Sequence, residues 1–267
     1  MRQSVTNRLF LDSLWSGKLW RVWTYLGLQD VRTRFRRSFI GPAWLFVNLG
    51  IFIGGAGVVY GIMFGQPMAE FLPYLTAGLV LWNFLLASLT EAGMAFVNAE
   101  GYIKQFSYPK QIYLLRTLVA LSAVLGVGLC ALTALLLIFG KVSVVGWLYA
   151  VPGLVLLMVA ALSHITIIGY AATRFRDLPH ALTGVLQVLF FVTPIMFPIS
   201  ILEERNLKFV FEYNPLYYLM DLVRFPILES EFPPLSHYVV VICYIVVAWC
   251  IAWAVARRLD NRIVFLL

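Results

Sequence analysis

The sequence predicts an all-α integral membrane protein with six transmembrane helices, and three observations predict it. The 267 residues are 61% hydrophobic and only 12% charged, whereas soluble domains run at about 45–50% apolar and about 25% charged. Six stretches carry no Asp, Glu, Lys or Arg: 38–69, 71–90, 117–140, 142–173, 178–202 and 232–256. Each reaches the roughly 20 apolar residues that a helix needs to cross about 30 Å of hydrocarbon. Lys and Arg, finally, gather in alternate connecting segments, the pattern that marks the cytoplasmic side. A transmembrane β-barrel would instead show segments of about ten residues with alternating hydrophobicity.

The basic residues place both termini in the cytoplasm. That side holds Arg2, Arg8, Lys18, Arg21, Arg32, Arg34, Arg36 and Arg37, then Lys104, Lys110 and Arg116, then Arg174 and Arg176, then Arg257, Arg258 and Arg262. Of the 20 basic residues, only Lys141, Arg205, Lys208 and Arg224 fall outside. The net charge of +7 is therefore mostly a topology signal, not a nucleic-acid patch. Cys130, Cys243 and Cys250 all lie inside expected spans and lack metal-like spacing, so they read as small apolar residues. The amino end is basic and aromatic, and its first long apolar run begins too late for a cleavable signal.

Three regions follow: a cytoplasmic segment over 1–37, a six-span domain over 38–257 and a tail over 258–267. Within the first, Leu11, Trp15, Leu19, Val22, Trp23 and Leu26 recur at helical spacing opposite Asp12, Ser16, Lys18, Arg21 and Gln29. This predicts an amphipathic helix over about 11–35, lying on the membrane surface or packed on a partner. Gly41-Pro42 bends the chain before span one, about 44–64, and Gly65-Gln66-Pro67 turns it into span two, about 72–96. The connection 98–110 mixes charges with aromatics and ends near Pro109, which suits a short exposed helix. Spans three and four cover about 112–139 and 148–172, and span five about 182–198. Segment 201–234 is long for a loop yet apolar, and Asn214-Pro215 divides it. It reads as two short helices dipping into the outer membrane half, where irregular backbone must be buried in protein or line a wet cavity. Span six covers about 238–256. Because the fifth stretch runs into 201–234 without a clean end, five full spans plus a re-entrant pair is the alternative topology.

Several residues within the spans are candidates for function. Glu91 and Arg116 lie at matching depths, roughly 8–12 Å in at 1.5 Å per residue, and are expected to form an intramembrane ion pair; a pore-lining role is the alternative. His164 suits either a hydrogen-bonded packing role or a proton relay, but span four has no carboxylate for a relay. Phe46, Phe52, Tyr60, Trp82, Phe84, Phe190 and Phe191 lie within spans one, two and five. They are candidate channel-lining groups, since sugar rings stack on aromatic faces; lipid-facing packing is the other reading. The sequence has no GxxxxGK[ST], no HExxH and no carboxylate pair within a span. The outer carboxylates Glu203, Glu204, Glu212, Glu229 and Glu231 read as solvating groups for the short outer helices.

Residues 32–48, Arg-Thr-Arg-Phe-Arg-Arg-Ser-Phe-Ile-Gly-Pro-Ala-Trp-Leu-Phe-Val-Asn, resemble the approach to the first span in permease subunits of type-2 ABC polysaccharide exporters. The likeness continues through Leu81-Trp82-Asn83-Phe84, Ile103-Lys104, Tyr108-Pro109-Lys110, Arg176-Asp177-Leu178, Thr193-Pro194-Ile195-Met196-Phe197-Pro198 and Asn214-Pro215-Leu216. It is nearest to the O-antigen permeases of the Wzm group, with capsule, teichoic acid and drug permeases as relatives. The resemblance implies the ABC-2 exporter fold and a homodimer of this chain with two copies of a separate ABC ATPase. It implies no cofactor in this chain, with ATP and Mg held by the partner ATPase, and no enzymatic step of its own. Residues 98–110 would be the coupling helix, contacting the ATPase through Glu100, Tyr102, Ile103, Lys104, Phe106 and Tyr108, and 201–234 would gate the exit. The substrate would be an undecaprenyl-pyrophosphate-linked glycan. Arg32, Arg34, Arg36 and Arg37 stand where its pyrophosphate would arrive, and Arg suits bidentate phosphate contacts; membrane topology explains the same cluster equally well.

Overall fold

The computed structural model describes residues 5–36, 38–106, 108–199, 202 and 206–267, and every regular element among them is helical. Two N-terminal helices, α1 (Val5–Lys18) and α2 (Trp20–Arg34), precede the long helices α3 (Trp44–Phe64) and α4 (Met68–Thr90). A short α5 (Glu100–Gln105) leads to α6 (Gln111–Ile138), α7 (Val144–Arg174) and α8 (Leu178–Val192). The one-turn α9 (Phe209–Glu212), α10 (Pro215–Glu229), α11 (Leu235–Leu259) and a final turn α12 (Ile263–Leu266) complete the chain.

Local chemistry sets the ends of these helices. Gly65 and Gly140 close α3 and α6 in the left-handed region, at φ 62° and 66°. In both, the next residue donates back across the last turn, Gln66 N–H to Gly61 O at 3.1 Å and Lys141 N–H to Leu136 O at 2.8 Å. A side chain would strain either position. Ser143 caps α7 by accepting from Gly146 N–H at 3.2 Å, and Asn214 caps α10 by accepting from Leu216 N–H at 3.1 Å.

Five helices are long and apolar enough to cross a membrane: α3, α4 with its extension to Met94, α6, α7 and α11 with its extension to Leu266. The expected fifth span is shorter. Helix α8 starts at Leu178, ahead of the expected boundary, and stops at Val192, covering about 22 Å. Its end has a clear cause: Thr193 precedes Pro194, which drives it into an extended conformation with ψ 133°. The segment still passes between the two ends of the bundle. Pro179 packs on Gly93 near one end of α4, Ile195 packs on Gly78 towards the other, and Tyr74 Oη donates to Pro194 O at 3.0 Å.

The amphipathic segment expected as one helix is two, α1 and α2, broken at Leu19. Trp23 Nε1 donates to Ser16 O at 3.1 Å across the break, a carbonyl that also accepts from Leu19 N–H at 3.1 Å. Helix α2 then lies along α6. Within segment 201–234, the split at Asn214-Pro215 is present, but α10 is enclosed by protein. It packs on α7, α4 and α11, with Leu219, Met220, Leu222 and Val223 fully buried. Residues 201 and 203–205, and with them Glu203 and Glu204, lie outside the described residues. The core is centred on α4, α7 and α10. At the other extreme, α3 is buried over only 17% of its most apolar stretch, against 67% for α4; among the long helices it rests mainly on α4 and α6.

Candidate functional site

Helices α3, α4, α6 and α8 enclose an open cavity of ≈ 690 Å³. Six of the seven aromatics singled out from the sequence line it: Phe46, Phe52, Trp82, Phe84, Phe190 and Phe191. Helical spacing brings Phe46, Leu49 and Phe52 to one face of α3. Trp82 and Phe190 pack across from α4 to α8 with ring centroids 5.8 Å apart, and Phe191 meets Phe190 edge-on at 5.5 Å. Trp82 and Phe84 are buried at 3% and 4% exposure, while Phe46, Phe52 and Phe191 are open. Tyr60 is not part of the cavity; it lies two turns further along α3 and stacks on Phe64 at 5.8 Å. The lining also includes Asn48, Asn83, Thr183 and Gln187, which sequence reasoning did not single out.

One end of the cavity carries its only charged lining groups among the described residues, Arg34 and Glu91, and these form an ion pair. The expected pairing of Glu91 with Arg116 is corrected here. Arg116 is instead held by Asp30, Nε to Oδ2 and Nη2 to Oδ1 both at 2.6 Å. The cause is α2, which runs beside α6 and puts Asp30 next to Arg116, and Arg34 next to Glu91 one turn further on. Arg32 and Arg36 are exposed near the same end, and Arg37 lies outside the described residues.

At this basic end, α5 has no buried residue. Glu100 and Lys104 pair at 2.5 Å. Tyr102, Phe106 and Tyr108 form an exposed row, with centroids 6.5 Å and 6.0 Å apart in succession, and Ile103 packs towards the core. Just past this row, Lys110 reaches the buried Asp260, contacting both its main-chain carbonyl and its carboxylate, the latter at 3.2 Å. Tyr170 Oη donates to the other carboxylate oxygen at 2.9 Å. Asp260 therefore ties the start of α6, the end of α7 and the end of α11 together.

The opposite end has its own buried polar cluster. Arg224 on α10 is 2% exposed, donates to Pro194 O at 2.8 Å and stands 4.2 Å from the Tyr74 ring centre. Asp221 lies 3.7 Å from Arg224 and 3.0 Å from His237 Nδ1. Asn214 Nδ2 donates to Thr193 Oγ1 at 2.8 Å. Together these groups hold the bend after α8 against α10. Sequence reasoning missed this cluster, although Asp221 and Arg224 at i, i+3 in an apolar run carry the signal. His164 has the packing arrangement: Nδ1 meets Ser88 Oγ at 3.1 Å, and Nε2 meets Tyr244 Oη at 2.6 Å. Cys130, Cys243 and Cys250 are unpaired and exposed. No cluster of three metal-ligating side chains exists among the described residues.

The profile of a family described as ABC-2 type transporter matches residues 21–228 of this chain. Among proteins of known name, the O-antigen export system permease protein RfbA of Myxococcus xanthus is 22% identical over 241 residues, covering 88% of this chain and 89% of its own. Two proteins of the same name from Klebsiella pneumoniae are 22% and 25% identical, each covering 75% of this chain and 77% of its own.

Proposed function

This chain belongs to the ABC-2 type transporter family, and on that premise we propose that it is the permease subunit of an exporter that moves a lipid-linked polysaccharide, of the O-antigen class, outward across the inner membrane. The observation that carries the reading is the cavity: six aromatic side chains lining a space inside an apolar helical bundle, with an arginine at its basic end. The names of the three relatives agree with it. In this reading two copies of the chain assemble with two ABC ATPase subunits, which hold ATP and Mg. The basic end faces the cytoplasm, where Arg32, Arg34, Arg36 and Arg37 receive the pyrophosphate of the carrier. The exposed Tyr102-Phe106-Tyr108 row meets the ATPase, and ATP-driven movement there opens a path along α3 and α8 towards α10.

Deleting the gene should trap finished glycan on its lipid carrier inside the cell. Returning the chain together with its partner ATPase should restore surface glycan. The reading is wrong if surface glycan persists without the chain, or if the purified chain captures no ATPase.

A further inference from the structure

Two sets of polar side chains within the helices contrast. The threonine hydroxyls are satisfied by their own helix: Thr76 by Leu72 O at 2.6 Å, Thr90 by Leu86 O at 2.9 Å, Thr183 by Pro179 O at 2.9 Å. The carboxamides of Asn48, Asn83 and Gln187 have no hydrogen-bond partner among the described residues, and all three line the aromatic cavity. An unpartnered amide at membrane depth is costly unless something polar arrives to meet it.

The three come from different walls: Asn48 from α3, Asn83 from α4 beside Trp82, and Gln187 from α8 about one turn before Phe190, with Trp82 and Phe190 packed on each other at 5.8 Å. Pockets that bind organic ligands are mostly apolar, with a few placed polar groups that fix orientation. Each carboxamide offers two donors and an acceptor oxygen, which matches vicinal hydroxyls that both donate and accept. A carboxamide is also uncharged, so contacts to successive hydroxyls stay weak enough for passage, as conduction through multiple sites requires.

We propose that Asn48, Asn83 and Gln187 form a hydrogen-bonding track for sugar hydroxyls through the cavity, with the open rings of Phe46, Phe52 and Phe191 supplying the stacking faces beside it. This rests on the proposed export of a glycan and names the groups that read it. Arg34 handles the anionic carrier at the mouth, and the amides handle the uncharged polymer behind it.

The test uses the full complex with its ATPase in cells lacking the native copy, with surface glycan as the readout. Replacing Asn83 and Gln187 together by Leu removes two amides at positions where an apolar residue favours insertion. Surface glycan should fall by about tenfold, with the amount of chain in the membrane unchanged. The exchange Asn83→Gln with Gln187→Asn keeps both amides and should retain most export. Parent-level export by the double Leu variant overturns the inference. So does loss of export in step with loss of self-association in light scattering, because the amides would then bond between two copies of the chain. A parent complex that exports no glycan overturns the proposed function instead, and this inference with it.

Discussion

Replacing Lys110 by Met should destabilise the chain more than replacing Lys110 and Asp260 together. Asp260 is buried, with 3% of its side chain exposed, and Lys110 keeps only 13%. Without Lys110 the carboxylate retains, among the described residues, just the Tyr170 hydroxyl at 2.9 Å. Removing one partner of a buried ion pair costs about 3–5 kcal/mol, because the other charge is left uncompensated. The residual exposure of Lys110 admits some water, which argues for the lower bound, about 3 kcal/mol. At roughly 2–4 °C per kcal/mol for a chain approaching this size, the midpoint should fall by roughly 6–12 °C. The double variant Lys110→Met with Asp260→Leu removes both charges and should recover most of that loss, since buried pairs replaced by apolar residues are often neutral. Tryptophan fluorescence during heating in detergent measures both. A fall below about 2 °C for the single variant, or a double variant showing the sum of the single losses, refutes the reasoning.

Other substitutions test other parts. Exchanging the charges of Asp30 and Arg116 should restore membrane yield that either single reversal loses, whereas exchanging Glu91 with Arg116 should not; yields from a matched expression series decide it. Glu91→Gln should change stability by less than about 1 kcal/mol in the same melt, because Glu91 and Arg34 are 42% and 48% exposed and water screens the pair. Gly153→Ala would place a methyl 2.3 Å from Leu222 O, a backbone atom that cannot turn aside. It should cost about 1–3 kcal/mol, while Gly54→Ala, with open space around it, should be silent in the same melt. Arg224→Leu should lower the midpoint and free the bend after α8, and Arg224→Lys should rescue it only in part, since a point ammonium cannot both bond Pro194 O and lie over Tyr74 as a planar guanidinium does.

The long helices were legible because the bilayer sets their length and excludes charge; α6, α7 and α11 come close to the uncharged stretches. Among the cavity aromatics, Phe46 and Phe52 were legible for a related reason, since Phe46, Leu49 and Phe52 follow one another three apart on α3. Tyr60 lies too far along that helix to join them. The ion pairs were not legible. Glu91 and Arg116 match in depth, but depth is one coordinate, and the position around the bundle depends on where α2 lies. No periodicity within α2 specifies that path. Asp260 escaped notice because it sits in what reads as a tail, although it is 2% exposed. The stop of α8 at Val192 was readable from Thr193-Pro194, yet the apolar run continues past it and hides the break.

The docking of α2 on α6 has a consequence for biosynthesis. Asp30 and Arg116 are 86 residues apart, so at a synthesis rate of about 5–20 residues per second, Asp30 waits roughly 4–17 s for its partner. Throughout that interval α1 and α2 have been made but lack α6, the helix that α2 lies along, although Glu91, the partner of Arg34, arrives somewhat sooner. Trp15, Trp20 and Tyr25, which stay exposed in the finished chain, give the segment somewhere to wait: the headgroup layer, where such side chains settle. The nascent amino end is thus parked flat beside the insertion site and folds sideways onto α6 once that helix arrives. Any fusion placed ahead of Val5 that pulls this segment into bulk water should slow maturation while leaving the finished protein as stable as before.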